Sequence, residues 1–160
     1  MCVAEDLPLR VLLERANRVL PAVKQPEMYA TFAGPYSRTN GELEYCIAGH
    51  PPILHYQAQT KKVQSYRMEQ FPLGLEPKCQ YASATTNCGP DDVFMLLSDG
   101  ILEATDAARS EFGLERVRSL LEQHGRKPLQ EIVANLMKEL ESFGPRNDNQ
   151  TILLVRMLRR

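Results

Sequence analysis

Residues 89–105 read GPDDVFMLLSDGILEAT, and the fold turns on how this stretch is read. The turn residues Gly89-Pro90-Asp91 lead into an apolar run, residues 93–97, that stops abruptly at Ser98-Asp99-Gly100. A short apolar run bounded by turn chemistry is the pattern of a buried strand. A carboxylate and a glycine at the end of such a strand have two accounts. One is a simple turn, for which Asp-Gly is ordinary chemistry. The other is a metal site, provided that further carboxylates arrive from elsewhere in the chain. Hard divalent cations take oxygen ligands, Mg²⁺ usually one or two carboxylates with several waters, and a glycine lets backbone pass close by.

Downstream, Leu114, Val117, Leu120 and Leu121 mark one helix. Leu129, Ile132, Val133, Leu136, Leu140 and Phe143 mark a second, longer one. A loop over residues 144–150 leads to a last strand, residues 151–155, with Asp148 just before it. Strands that pair would bring Asp99 and Asp148 close, whatever their separation in sequence. Asp148-Asn149 also reads as an Asx-type turn, and on spacing alone the turn is the simpler account of both acids. Asp91, Asp92 and Asp106 read as solvated or capping residues of turns.

Upstream, apolar residues recur at helical spacing over residues 9–20, and Pro21 is expected to stop that helix. The period then changes. Residues 29–32 read as a strand, Thr39-Asn40-Gly41-Glu42 as hairpin turn chemistry, and residues 43–48 as the returning strand. Gly49-His50-Pro51-Pro52 breaks it. Further strands are expected at 53–56, 63–67 and 80–86, with residues 71–75, FPLGL, as a packed loop. Strands grouped together with helices on a face make an α+β layered design.

The bulk numbers exclude some classes. The 160 residues suggest one domain, able to bury roughly 70% of the surface of its unfolded chain. A formal net charge of -1 gives no electrostatic case for nucleic acid or an anionic membrane. No apolar run approaches the roughly 20 residues that span a bilayer, and the start has no signal layout, so a cytoplasmic location is expected. Cys2, Cys46, Cys79 and Cys88 lack ligand-type spacing, and Cys46 reads as a small core residue. His55 and His124 read as surface or half-buried residues.

The order of motifs resembles the metal-dependent protein phosphatases (the PPM, or type 2C-like, family), in particular its bacterial branch of stage II sporulation protein E and the RsbU regulators. The helix LLERANRVL is followed by MYATF, and GELEYCIAGHPPIL is similar to the family's strand–AGHPP–strand segment. FPLGL resembles its PLGL loop, and GPDDVFMLLSDGILEAT its GD-apolar-TDG-TEA segment. EFGLERV resembles the FG-x-ER stretch opening the penultimate helix, and NDNQTILLVR the D-[DN]-x-T-apolar ending. The resemblance covers nearly the whole chain.

It implies an antiparallel β-sandwich flanked by helices, in αββα layers, with two Mn²⁺ or Mg²⁺ ions at one edge. There a metal-activated water attacks a phosphoserine or phosphothreonine in line. By position, Asp99 and Asp148 are the implied metal ligands, Gly100 allows close backbone passage, and Asn149 braces the loop. His50, in AGHPP, is implied to serve a turn more than general acid catalysis. Arg146 could meet a phosphate by a charge-assisted bond, or stay a solvated loop arginine. The implied substrate is a phosphorylated regulatory protein such as an anti-sigma-factor antagonist.

One motif of that family is missing. An acidic D-x-x-G-[HK]-G segment, whose Asp bridges both metals, precedes the first helix there, and here only Glu5 and Asp6 stand upstream. The expectation is therefore an N-terminally truncated domain, its C-terminal two-thirds, holding one ion or none alone; a degenerate, noncatalytic relative that binds a regulatory partner is the alternative. Lost strands would leave unpaired sheet edges that favour a homodimer.

Overall fold

The computed structural model describes residues 7–25, 27–37, 42–146 and 148–158. In chain order the elements begin with helix α1 (Leu9–Val23) and strands β1 (Phe32–Ser37), β2 (Glu42–Ala48), β3 (Ile53–Gln57) and β4 (Lys62–Tyr66). Strands β5 (Ala84–Asn87) and β6 (Val93–Leu97) follow, then helices α2 (Asp99–Leu102), α3 (Gly113–His124) and α4 (Leu129–Phe143), and strand β7 (Ile152–Arg156). The expected α+β class, with antiparallel sheets and helices, is what the chain forms. The chain packs as two compact units, Met1–His50 with Arg67–Asn87 and Pro51–Tyr66 with Cys88–Arg160.

In the first unit a three-stranded antiparallel sheet runs β1-β2-β5. Pro35 sits in β1, an edge strand, where a missing N–H costs no ladder bond. The strand expected at 29–32 starts later. Ala30 makes only an isolated bridge to Leu73, and β1 proper runs from Phe32. Of the expected hairpin turn, Thr39, Asn40 and Gly41 lie outside the described residues, as do Glu5 and Asp6.

Helix α1 lays Leu13 and Asn17 inward and runs through Pro21 to Val23, past the expected stop. Proline in the last turn forfeits one backbone bond, yet the Lys24 N–H still reaches the Leu20 carbonyl at 3.1 Å, so the final turn closes. At its start, the Leu9 N–H donates to the buried Glu44 carboxylate at 3.2 Å, where a negative charge suits the helix dipole. Asn17, fully buried, ties down the loop over residues 72–76. Its Nδ2 donates to the Glu76 carbonyl at 2.9 Å, and its Oδ1 accepts the Gly74 N–H at 2.7 Å and the Tyr81 hydroxyl at 3.3 Å. Leu73 is buried in that loop while Phe71 and Leu75 stay exposed. Burial, then the neighbouring Cys79 thiol, pushes the Tyr81 hydroxyl up to about 12. Gly49 has φ +62, and a Cβ there would collide with the ring of Pro72, so only glycine serves after β2.

In the second unit a four-stranded antiparallel sheet runs β4-β3-β6-β7. Central strand β6 is buried along its whole length, as the apolar run predicts. Its core joins Leu54, Tyr56, Val93, Met95 and Leu97 to Ile101, Val117, Leu121, Ile132 and Leu136 from the three helices. Edge strand β7 alternates, with Ile152 and Leu154 packed on that core and Leu153 and Val155 exposed. Its Arg156 donates to the carbonyls of Gly125 (2.8 Å) and Lys127 (2.5 Å), closing the C-terminal end of α3 with a positive charge.

Candidate functional site

Strand β6 ends at Leu97, paired with Ile152 at the start of β7. That register brings the segment after β6 beside the segment before β7, and so places the Asp99 and Asp148 loops at the same end of the sheet. Ser98 clasps the two. Its N–H donates to the Thr151 carbonyl at 3.1 Å, its hydroxyl donates to the Asn149 carbonyl at 3.2 Å, and its Oγ accepts the Thr151 N–H at 2.9 Å. Gln150 adds a longer contact, its side-chain amide donating to the Gly100 carbonyl at 3.5 Å.

Gly100 is where the backbones come closest. A Cβ there would lie 2.4 Å from the Asn149 carbonyl oxygen and 3.2 Å from Cβ of Asp148. The Asn149 backbone thus passes close to Gly100, with its carbonyl nearest and Asp148 beside it. The chain after Ser98 does not turn as a plain loop. It forms the short helix α2, with Asp99 in its first turn and Gly100 and Ile101 buried.

Asp99 and Asp148 are both exposed. In each, Oδ1 accepts the next backbone N–H, Gly100 at 2.9 Å and Asn149 at 2.6 Å. Among the described residues the second oxygen of each carries no hydrogen bond, so each acid keeps at least one oxygen open to a ligand. Two such oxygens fit one hydrated hard cation of the Mg²⁺ or Mn²⁺ type, which keeps several waters. Among the described residues no group of three or more His, Cys, Asp or Glu side chains could hold an ion. Arg146 turns its Nε to the Asp148 carbonyl at 3.2 Å and stays exposed. His50 belongs to the first unit and is half-buried after Gly49.

Two residues read from sequence as peripheral are core. His55 is fully buried on β3, against the expectation of a surface or half-buried residue. Its Nε2 lies 2.8 Å from Asp92 Oδ2 and its Nδ1 3.0 Å from the Tyr66 hydroxyl, with the ring stacked 4.2 Å from Phe94. Asp92, expected to be solvated or capping, is buried and also accepts the N–H groups of Ala58 and Gly89, each at 2.8 Å. Asp106 does cap a turn, accepting the N–H groups of Ala108 and Ser110. Cys46 is a buried core thiol, as read, and burial raises its pKa.

The family model of stage II sporulation protein E (SpoIIE) matches residues 1–158. The chain belongs to this family. A search of curated proteins finds no match. Among solved structures, the RsbU and RsbW domains of a Mycobacterium tuberculosis protein align with TM-score 0.77 at 20% identity, covering 97% of this chain and 44% of that one. The SiaA PP2C domain of Pseudomonas aeruginosa aligns with TM-score 0.77 at 19% identity, covering 94% and 61%. The phosphatase domain of the cell-fate determinant SpoIIE from Bacillus subtilis, presoaked with Mn, aligns with TM-score 0.63 at 15% identity, covering 98% and 69%. At these identities the likeness carries the fold, and the chain spans about half the length of the first two. The SpoIIE family comprises PP2C-type serine/threonine phosphatase domains and is metal-dependent in general.

Proposed function

We propose that this SpoIIE-family chain is part of a metal-dependent protein serine/threonine phosphatase whose substrate is a phosphorylated regulatory protein, such as an anti-sigma-factor antagonist. The observation that carries the reading is the seating of Asp148 against Gly100, which sets two exposed carboxylates at one end of the β6–β7 pair. Asp99 and Asp148 would hold Mn²⁺ or Mg²⁺ through their remaining oxygens. Gly100 leaves room for that approach, Asn149 braces the loop, and His50 stays outside the chemistry. When bound, the metal supplies an activated water and compensates charge on the transferred phosphoryl group.

Residues 1–160 are read as the C-terminal two-thirds of one such domain, cytoplasmic, without a nucleic-acid or membrane partner. Among the described residues no helix is long and apolar enough to cross a membrane. Exposed Leu153 and Val155 on edge strand β7 support a homodimer, which light scattering checks.

The test of the site is Mn²⁺-dependent hydrolysis of a phosphoserine peptide, alongside Mn²⁺ binding. Asp99→Asn and Asp148→Asn are each expected to lower both by about tenfold or more, since each removes one of two charges that hold the ion. Turnover that survives both substitutions would sink the assignment. The second reading, a noncatalytic module that binds a regulatory partner, is favoured by the lack of a third acid beside the pair among the described residues. It predicts partner binding indifferent to chelators and to both Asp substitutions.

A further inference from the structure

We propose that Ser98 is the positioning residue of the Asp99–Asp148 pair, its hydroxyl fixing the separation of the two acidic segments. The inference rests on the metal-site reading above and concerns how this chain holds that site ready without the ion.

Three bonds join Ser98 to residues 149–151, and two of them use the hydroxyl, once as donor to the Asn149 carbonyl and once as acceptor from the Thr151 N–H. The hydroxyl therefore grips the chain on both sides of Gln150. Asp99 follows Ser98 directly and Asp148 precedes Asn149 directly, so each acid is one residue from a gripped atom. The packing at Gly100 sets only a minimum approach, because contact resists compression and not separation. The Ser98 hydroxyl supplies the opposing restraint. Between them the two exposed carboxylates keep a fixed spacing, and the Asn149 carbonyl is occupied by its bond to Ser98. Partners that orient ligands in this way are worth about ten- to a hundredfold in metal affinity.

The experiment compares the parent chain with Ser98→Ala, Ser98→Val and Ser98→Thr. Mn²⁺ affinity is read by electron paramagnetic resonance, and hydrogen exchange at the Thr151 amide is read without metal. Val and Thr differ only by a methyl against a hydroxyl, so the pair separates hydrogen bonding from bulk. Expected is an about ten- to a hundredfold weaker Mn²⁺ affinity and faster Thr151 exchange in Ala and Val, with both restored in Thr. If Ala does not fold, the Val–Thr comparison alone carries the test. A parent that binds Mn²⁺ through Asp99 and Asp148 while Val binds as tightly as Thr overturns the role of Ser98 and leaves the site standing. A parent that binds no Mn²⁺ overturns the site and this role with it.

Discussion

Gly100→Ala puts the meeting of the two acidic loops to the most direct test. Two effects compete. Alanine in a helix is favoured over glycine by about 1 kcal/mol, so a substitution judged by propensity alone would stabilise. Against this, the new Cβ would lie 2.4 Å from the Asn149 carbonyl oxygen and 3.3 Å from its carbon. Both are backbone atoms, with no flexible side-chain end to swing away. Restoring ordinary contact, near 3.4 Å, means opening the loops by about 1 Å. That displacement strains the core side of α2 by about 1–3 kcal/mol. It also stretches the two Ser98 hydroxyl bonds, each worth about 1 kcal/mol. Because α2 is only four residues long, little propensity gain is recovered. The net expectation is a loss of about 2–4 kcal/mol. With a urea dependence of about 2 kcal/mol per molar, the unfolding midpoint falls by about 1–2 M. Mn²⁺ affinity should fall in parallel, since Asp148 moves with Asn149. An unchanged or higher midpoint would show that the loops yield freely, and the claim that backbone packing seats the two acids together would fail.

Asp92→Ala should cost about 3–5 kcal/mol in urea unfolding, because it leaves the buried ring of His55 and the half-buried N–H groups of Ala58 and Gly89 without their acceptor, and a loss under 1 kcal/mol would refute the network. Tyr81 keeps its proton in the fold up to about 12 but loses it near 10 when unfolded, so between these values the native state binds more protons and stability falls as pH rises. Tyr81→Phe should remove that share of the alkaline slope, measured by thermal unfolding from pH 9 to 12, and identical slopes would refute the burial. Titration calorimetry with Mn²⁺ should give no more than one ion per chain, and two equivalent ions would contradict the count of acids at the site.

Much of this layout was legible because periodicity survives folding. The apolar run at 93–97 became a strand buried throughout, and the stripes after Leu114 and Leu129 became α3 and α4 with close boundaries. The misses have local causes. Pro21 reads as a helix stop, but near a C-terminus the one bond it removes is affordable, and α1 continues. His55 hid because β3 is buried on both faces, so no alternation marks which side chains are inward. Asp91 and Asp92 are indistinguishable as letters. In the fold Asp91 takes the left-handed turn, with φ 66, and Asp92 turns its carboxylate inward. The pair Asp99 and Asp148 is suggested by strand ends and joined by the resemblance, not by any periodicity. Their meeting depends on the β6–β7 register and on hydrogen bonds of Ser98, neither of which has a sequence period.

Electrostatics connects the two-acid count to what the site can hold. Two carboxylates carry a charge of -2, which one divalent cation neutralises. A second divalent cation at the spacing of about 3.5–4 Å used in two-metal hydrolysis adds a repulsion of about 17 kcal/mol at an effective dielectric of 20. Waters screen part of that, but a pair of ions is held together by anionic oxygens lying between them, and among the described residues no third acid joins the pair. The family's bridging Asp, upstream of α1 in the resemblance, would supply that shared charge. On the proposed reading, the acids at the end of β6 and β7 would be the half of the site that orients a cation. Substitutions at Ser98 and Gly100 should therefore act on cation affinity even in a chain with no turnover, which separates the architecture of the site from the chemistry it serves.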